Sequence, residues 1–263
     1  MRATLLARTT IAAFTLAVCC AAEMPTADQI IEKVVAQEDL NYEKAKNWEF
    51  EQHLVTQRLD GDEKVKSEKT KTITYRPEGK LSFSVGGLKD QGDKAEVGIG
   101  LSNDKDDEKE GKFSEALKMR ELQPFYVFSL VGEGDLNGEK VWMLDFEPKP
   151  DMEEKAEGQK QKVLTRLHGR LWIHPKYFAI MKADCSLVRP MPFAWLDLVS
   201  LRILRIQYET VFHENKVWLP KSMEVYYLVR ILFLSHIRER QTMTADGYRE
   251  VPAEKAEVKP KKE

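Results

Sequence analysis

The stretch Gly169–Pro190, GRLWIHPKYFAIMKADCSLVRP, holds a histidine, an aspartate and a cysteine in close succession. It reads either as a nucleophile with its base (His174, Asp184, Cys185) or as two strands and a turn that carry polar residues. "GRLWI" and "YFAIMKADCSL" are short β-rich runs, and Pro175 punctuates them, the pattern of a hairpin. With its tip near Pro175–Lys176, His174 pairs near Tyr177, and Cys185 lies about eight residues further along the return strand. At ~3.3 Å per residue, that spacing separates them by more than ~25 Å. A cysteine nucleophile needs a base within hydrogen-bond reach. The stretch is therefore a fold marker. His168, His213 and His236 are free to approach Cys185 in space, but no spacing in the chain suggests it.

Strand signals continue on both sides. Upstream, Trp48, Phe50, Gln52, Leu54 and Thr56 alternate with Glu49, Glu51, His53, Val55 and Gln57. "LDGDEK" is a turn, and "KTKTITYR" and "KLSFSV" follow as strands. "FYVFSLVGEGDLNGEKVWMLDFEP" is strand, turn, strand, with Asn137-Gly138 as the strongest hairpin signal. Downstream come "RILRIQYETVFH", "KVWLPKSMEVYYLV" and "ILFLSHIRERQTM". Thr26 caps a helix over about 27–38, with Gln29 as capping-box partner and Ile30, Ile31, Val34 and Val35 on one face. "FSEALKMREL" and "MPFAWLDLVSL" suit short helices, and the latter, if exposed, forms an apolar patch rimmed by Arg189 and Arg202. The whole reads as α+β: a large antiparallel sheet with an N-terminal helix and short helices over one face.

Two segments stand apart from this pattern. A charged insertion near 89–112 is expected to be a mobile surface excursion. Its Asp104, Asp106, Asp107 and Glu108 lack EF-hand spacing and are interrupted by Lys105 and Lys109, so a solvated charge run outweighs a calcium loop. From Val251 the tail carries no apolar content and is expected to be disordered, leaving one domain over 23–250.

The N-terminus carries an export signal over 1–22: Arg2 and Arg8, then an uncharged run, then Cys20-Ala21-Ala22 with cleavage near Ala22. That run is too short to span a bilayer, which takes ~20 apolar residues. The rival reading is a lipoprotein signal with Cys19 or Cys20 lipidated; Val18 before Cys19, and Cys19 before Cys20, disfavour it. Cleavage removes two of three cysteines, leaving Cys185 without a disulfide partner. It also leaves 39 basic residues against 43 acids, a net charge near −4 with mixed signs, which gives no nucleic-acid footprint.

Catalytic and metal motifs are missing at the level of spacing. The five histidines make no HxxxH, HExxH or HxH pattern. There is no GxSxG and no phosphate-binding glycine loop. No catalytic residue, metal or cofactor is expected from the chain, and Cys185 reads as an inert buried thiol.

"DLNGEKVWMLDFEP", "HGRLWIHPKYFAIMKADCSL", "VWLPKSMEVYYLVRILF" and "TADGYRE" together resemble the outer-membrane lipoprotein-sorting superfamily with the LolA/LolB-like fold, in a mostly uncharacterised exported branch. The resemblance runs from the Thr26 helix to about Arg249. It implies a strongly curved, incomplete barrel with helices closing its mouth over an apolar cavity that binds acyl chains. On that basis Trp48, Phe50, Trp142, Leu144, Phe146, Trp172 and Trp218 are candidates to line the cavity; without it they read as sheet core. The implied protein is a monomeric, non-enzymatic envelope protein. Its expected partners are a lipid or a lipidated protein, with contact to a membrane surface or an envelope protein. The alternative is a sensor or interaction module whose sheet is packed solid.

Overall fold

The computed structural model describes residues 24–75, 82–85, 89–91, 94–96, 99–102, 118–192, 199–231 and 235–251. Residues 1–22, read above as an export signal, with Cys19 and Cys20, the acidic run 104–108, the centre of "MPFAWLDLVSL" and the tail beyond Val251 lie outside them. The chain opens with α1 (Ala27–Ala45), followed by β1 (Trp48–Leu59), β2 (Val65–Tyr75), β3 (Ser82–Val85), β4 (Lys89–Gln91), β5 (Lys94–Glu96) and β6 (Ile99–Ser102). Next come α2 (Met119–Leu122), β7 (Tyr126–Leu136), β8 (Glu139–Pro148), α3 (Gly158–Leu164), β9 (Leu167–Ile173) and β10 (Ile180–Leu187). The last strands are β11 (Met191–Pro192), β12 (Val199–His213), β13 (Val217–Ile231) and β14 (Ser235–Glu250).

Ten strands form one antiparallel sheet in the order β2-β1-β14-β13-β12-β10-β9-β8-β7, with β11 beside β12. The sheet is open, since β2 and β7 end it without pairing to each other. Its single large departure from sequence order is β1 against β14, which brings the two ends of the domain together. β3, just before the insertion, pairs with β6, and β4 pairs with β5 within it, as two small ladders. The insertion thus contains short strands where it is described.

The capping box forms as predicted: the Gln29 N–H donates to Thr26 Oγ1 at 3.3 Å and the Thr26 N–H to Gln29 Oε1 at 3.0 Å. The helix runs past residue 38 to Ala45, because "DLNYEKA" contains no breaker. Its first half buries Ile30, Ile31 and Val34 against the sheet. At the β7–β8 tip, Asn137 and Gly138 both take positive φ, 57° and 86°, as a two-residue hairpin turn requires. Asp135 fastens that tip by accepting from the Gly138 N–H at 2.9 Å.

The main core lies between the sheet and α1. Leu144, Ile173, Leu201, Leu204, Val225 and Tyr227 are fully buried there. Tyr227 carries its hydroxyl inward and donates to Glu239 at 2.7 Å. Glu239 also receives the Gln241 amide at 2.8 Å, so these buried polar atoms satisfy one another. No helix among the described residues is long and apolar enough to cross a membrane.

Candidate functional site: a cavity under the N-terminal helix

The β9–β10 hairpin positions the first wall. Ile173 pairs with Ile180, and the turn is closed by His174 N–H to Ala179 O and Phe178 N–H to His174 O, both 2.9 Å. His174 is a turn former. Its Nδ1 accepts from the backbone N–H of Lys176 at 3.1 Å and of Tyr177 at 3.3 Å. Cys185 pairs with Gly169, five residues from His174. The separation along the strands is therefore roughly 17 Å, shorter than the sequence spacing implied, because the turn takes up more residues. It remains far beyond hydrogen-bond reach. His168 does meet a hydroxyl, Ser186 Oγ at 3.0 Å, but on the opposite face from Cys185. Strand period two puts neighbours on opposite faces.

Behind this hairpin lies a cavity of about 420 Å³, within the ~300–1,000 Å³ range of ligand sites. Phe146, Leu171, Cys185, Ile206 and Met223 contribute to its sheet side, and Tyr177 and Phe178 to the hairpin end. The roof comes from α1: Val34, Gln37, Glu38, Asn41 and Lys44 recur at helical spacing along one stripe. The chamber thus has an apolar floor and a more polar lid.

Two contacts hold that lid. Asn41 spans to β13, donating Nδ2 to the Trp218 carbonyl and accepting the Trp218 N–H, both at 2.8 Å. Glu38 Oε2 accepts the Met119 N–H at 2.8 Å, tying α1 to α2. Asp39 and Arg120 form an ion pair beside it. Burial raises the Glu38 carboxyl to about 7, against the lowering effects of the Met119 hydrogen bond and Lys118. Burial also pushes the Cys185 thiol up to about 12, so near neutral pH it is a thiol and not a thiolate nucleophile. Tyr126, another wall residue, donates its hydroxyl to the Leu164 carbonyl at 2.5 Å, and burial raises it too.

The seven aromatic and aliphatic candidates divide among several places. Phe146 and Trp218 line the cavity. Leu144 is fully buried in the adjoining core, and Trp142 packs on Phe178 with ring centroids 5.4 Å apart. Trp172 is on the other face of β9, among Asp145, Arg170 and Asp184, with Lys182 Nζ 5.4 Å from its ring centroid. Trp48 belongs to a separate small cluster with Val217 and Leu219, and Phe50 packs on Tyr248 at 5.5 Å.

Two strand irregularities lie near these residues. The β1–β14 register shifts between Glu49 and Glu51, with the extra residue in β14 beside Gly247 at φ 62°, while β1 keeps an unbroken register with β2 through Phe50, Glu51 and Gln52. A second shift leaves Lys221 unpaired in β13 and puts Trp218 and Pro220 on the same side as Met223. Bulges change which face a side chain takes. Glu38 and Asn41 were not legible as site residues: they sit in "QEDLNYEK", whose composition reads as a solvated helix face.

No protein-family model matches the chain, and no curated protein matches it. Among solved structures, the chain is similar to a putative outer membrane lipoprotein-sorting protein domain from Vibrio parahaemolyticus, at 13% identity and TM-score 0.38, covering 85% of this chain and 93% of that one. It is similar to a DUF1329 family protein from Desulfovibrio piger at 13% identity and TM-score 0.36, covering 86% and 94%. It is also similar to a LolA superfamily protein from Nitrosomonas europaea at 12% identity and TM-score 0.34, covering 88% and 97%.

Proposed function

We propose that this protein is an exported envelope protein that binds an acyl chain, of a free lipid or of a lipidated protein, in the cavity beneath α1. The observation that carries this reading is the cavity itself. About 420 Å³ stands open between an apolar sheet face and the helix, where a packed interaction module would place side chains. An apolar chain gains by leaving water for such a surface, at about 25 cal/mol per Å² buried. The few polar groups on the lid suit the end of the chain that stays near water. The sequence resemblance to lipoprotein-sorting proteins points the same way.

The proposed activity is binding, without catalysis. Cys185 lines the cavity as a neutral thiol, and the hairpin holds His174 well away from it. The export signal over 1–22 and its cleavage near Ala22 belong to the same reading.

The test is lipid extraction and native mass spectrometry of protein purified without detergent from its own membrane-bearing cells. The expected result is a co-purifying acyl species at up to one per chain. Protein that stays free of ligand, and takes up none when offered fatty acid or lysophospholipid, would overturn the proposal.

A further inference from the structure

Outside the cavity, on the sheet face away from the core, Glu51, His53 and Asp246 bring their ligand atoms within 4.8 Å of one another. The two carboxylates are cross-strand partners, Glu51 of β1 directly opposite Asp246 of β14. Like charges in that position destabilise a sheet. Departures from a local rule mark sites where another requirement has been met. The backbone is irregular at this point as well: the β1–β14 register shifts beside Glu51, and Gly247, next to Asp246, takes φ 62°.

His53 lies two residues along β1 from Glu51, on the same face. Its Nε2 is 3.2 Å from Asp246 Oδ1, and its Nδ1 is 3.1 Å from Thr72 Oγ1 on β2. Two ligands at ~2.0–2.1 Å from a tetrahedral ion lie about 3.3 Å apart, so the His53–Asp246 separation already matches. In the tautomer that donates Nδ1–H to Thr72, the Nε2 lone pair turns toward Asp246, and a cation between them satisfies both. A ring held through its second nitrogen is the usual support of a metal-bound histidine. Three adjacent strands hold the group, and the half-exposed His53 and exposed Asp246 leave room for water ligands.

We propose that Glu51, His53 and Asp246 form a surface site for a divalent transition metal ion of the zinc class, with Thr72 orienting the histidine. Imidazole with carboxylate oxygens suits such ions. One ion would neutralise the facing carboxylates and clamp β1 to its neighbour β14. Sequence spacing concealed the site because Asp246 lies 193 residues from His53. The expectation of no metal rested on local motifs only.

Untagged protein titrated with Zn²⁺ by calorimetry near neutral pH tests the proposal. The expected result is one micromolar-range site per chain. His53→Ala and Asp246→Asn should each weaken it by about tenfold or more, and Thr72→Val by a smaller factor. Co²⁺ should give visible absorption bands that His53→Ala abolishes. Asp246→Asn keeps the side-chain shape, so its loss of affinity with unchanged circular dichroism excludes unfolding as the cause. No saturable Zn²⁺ binding, or binding unchanged in both variants, would overturn the proposal. Ca²⁺ binding at these residues in preference to Zn²⁺ would also overturn it.

Discussion

Gly169 stands directly opposite Cys185 in the β9–β10 ladder, and a Cβ on Gly169 would lie 2.0 Å from the Asp184 carbonyl oxygen. The strands at the centre of the cavity wall approach so closely that only glycine fits. Gly169→Ala must push β9 from β10, and overpacking of this kind costs about 1–3 kcal/mol. The expected outcome is a lower urea midpoint at unchanged slope. A change under ~0.5 kcal/mol, typical of an unconstrained surface position, would show that the strands part freely.

Glu38 gives the domain a pH dependence of definite sign. Its carboxyl is raised from 4.5 to about 7 by burial, so the folded chain holds that proton more tightly than the unfolded one. The contribution to stability is complete below about 4.5 and is lost as pH rises through about 7. Integrated over that window, it is on the order of 3 kcal/mol. Glu38→Gln should flatten this part of the stability profile relative to the wild-type protein. Denaturant titrations from acid to mildly alkaline pH check it, and parallel profiles for the two proteins would contradict the assignment.

Asn41 secures the roof by pairing with both backbone groups of Trp218. Asn41→Ala leaves the part-buried Trp218 N–H and carbonyl without that partner, at about 1–3 kcal/mol. The second half of α1 should then exchange its amide hydrogens faster, while the β12–β13 core keeps its protection. Equal acceleration across the domain would instead mean that Asn41 supports the global fold.

Cys185 offers a chemical probe of the cavity. With the thiol pushed up to about 12, the native protein should react with a disulfide reagent many-fold more slowly than the urea-unfolded chain. Bound fatty acid should slow the native reaction further, since Cys185 lines the chamber. Fast native labelling that is insensitive to fatty acid would contradict the placement.

Legibility in the sequence followed the range of the interaction. The capping box at Thr26, the Asn137-Gly138 turn and the Gly169–Pro190 hairpin depend on neighbours a few positions apart, and all three form, the hairpin with a longer turn than a Pro175–Lys176 tip implies. The bulge in β13 was not legible. One extra residue near Lys221 puts Trp218 on the cavity side with Met223. Nothing in period-two alternation announces a bulge. Glu38, Asn41, and the meeting of His53 with Asp246 depend on contacts between distant segments, which composition and spacing do not encode.

The most direct measurement of the central claim is the affinity of the purified protein for a fluorescent long-chain fatty acid, beside the Ala183→Trp variant. Ala183 lines the cavity and pairs with Leu171 and Tyr208, so the indole should occupy the space a chain would fill. The predicted result is saturable one-to-one binding to the wild-type protein, weakened tenfold or more in Ala183→Trp at unchanged circular dichroism. Equal binding by the two proteins, or none by the wild type, would contradict an acyl-binding cavity.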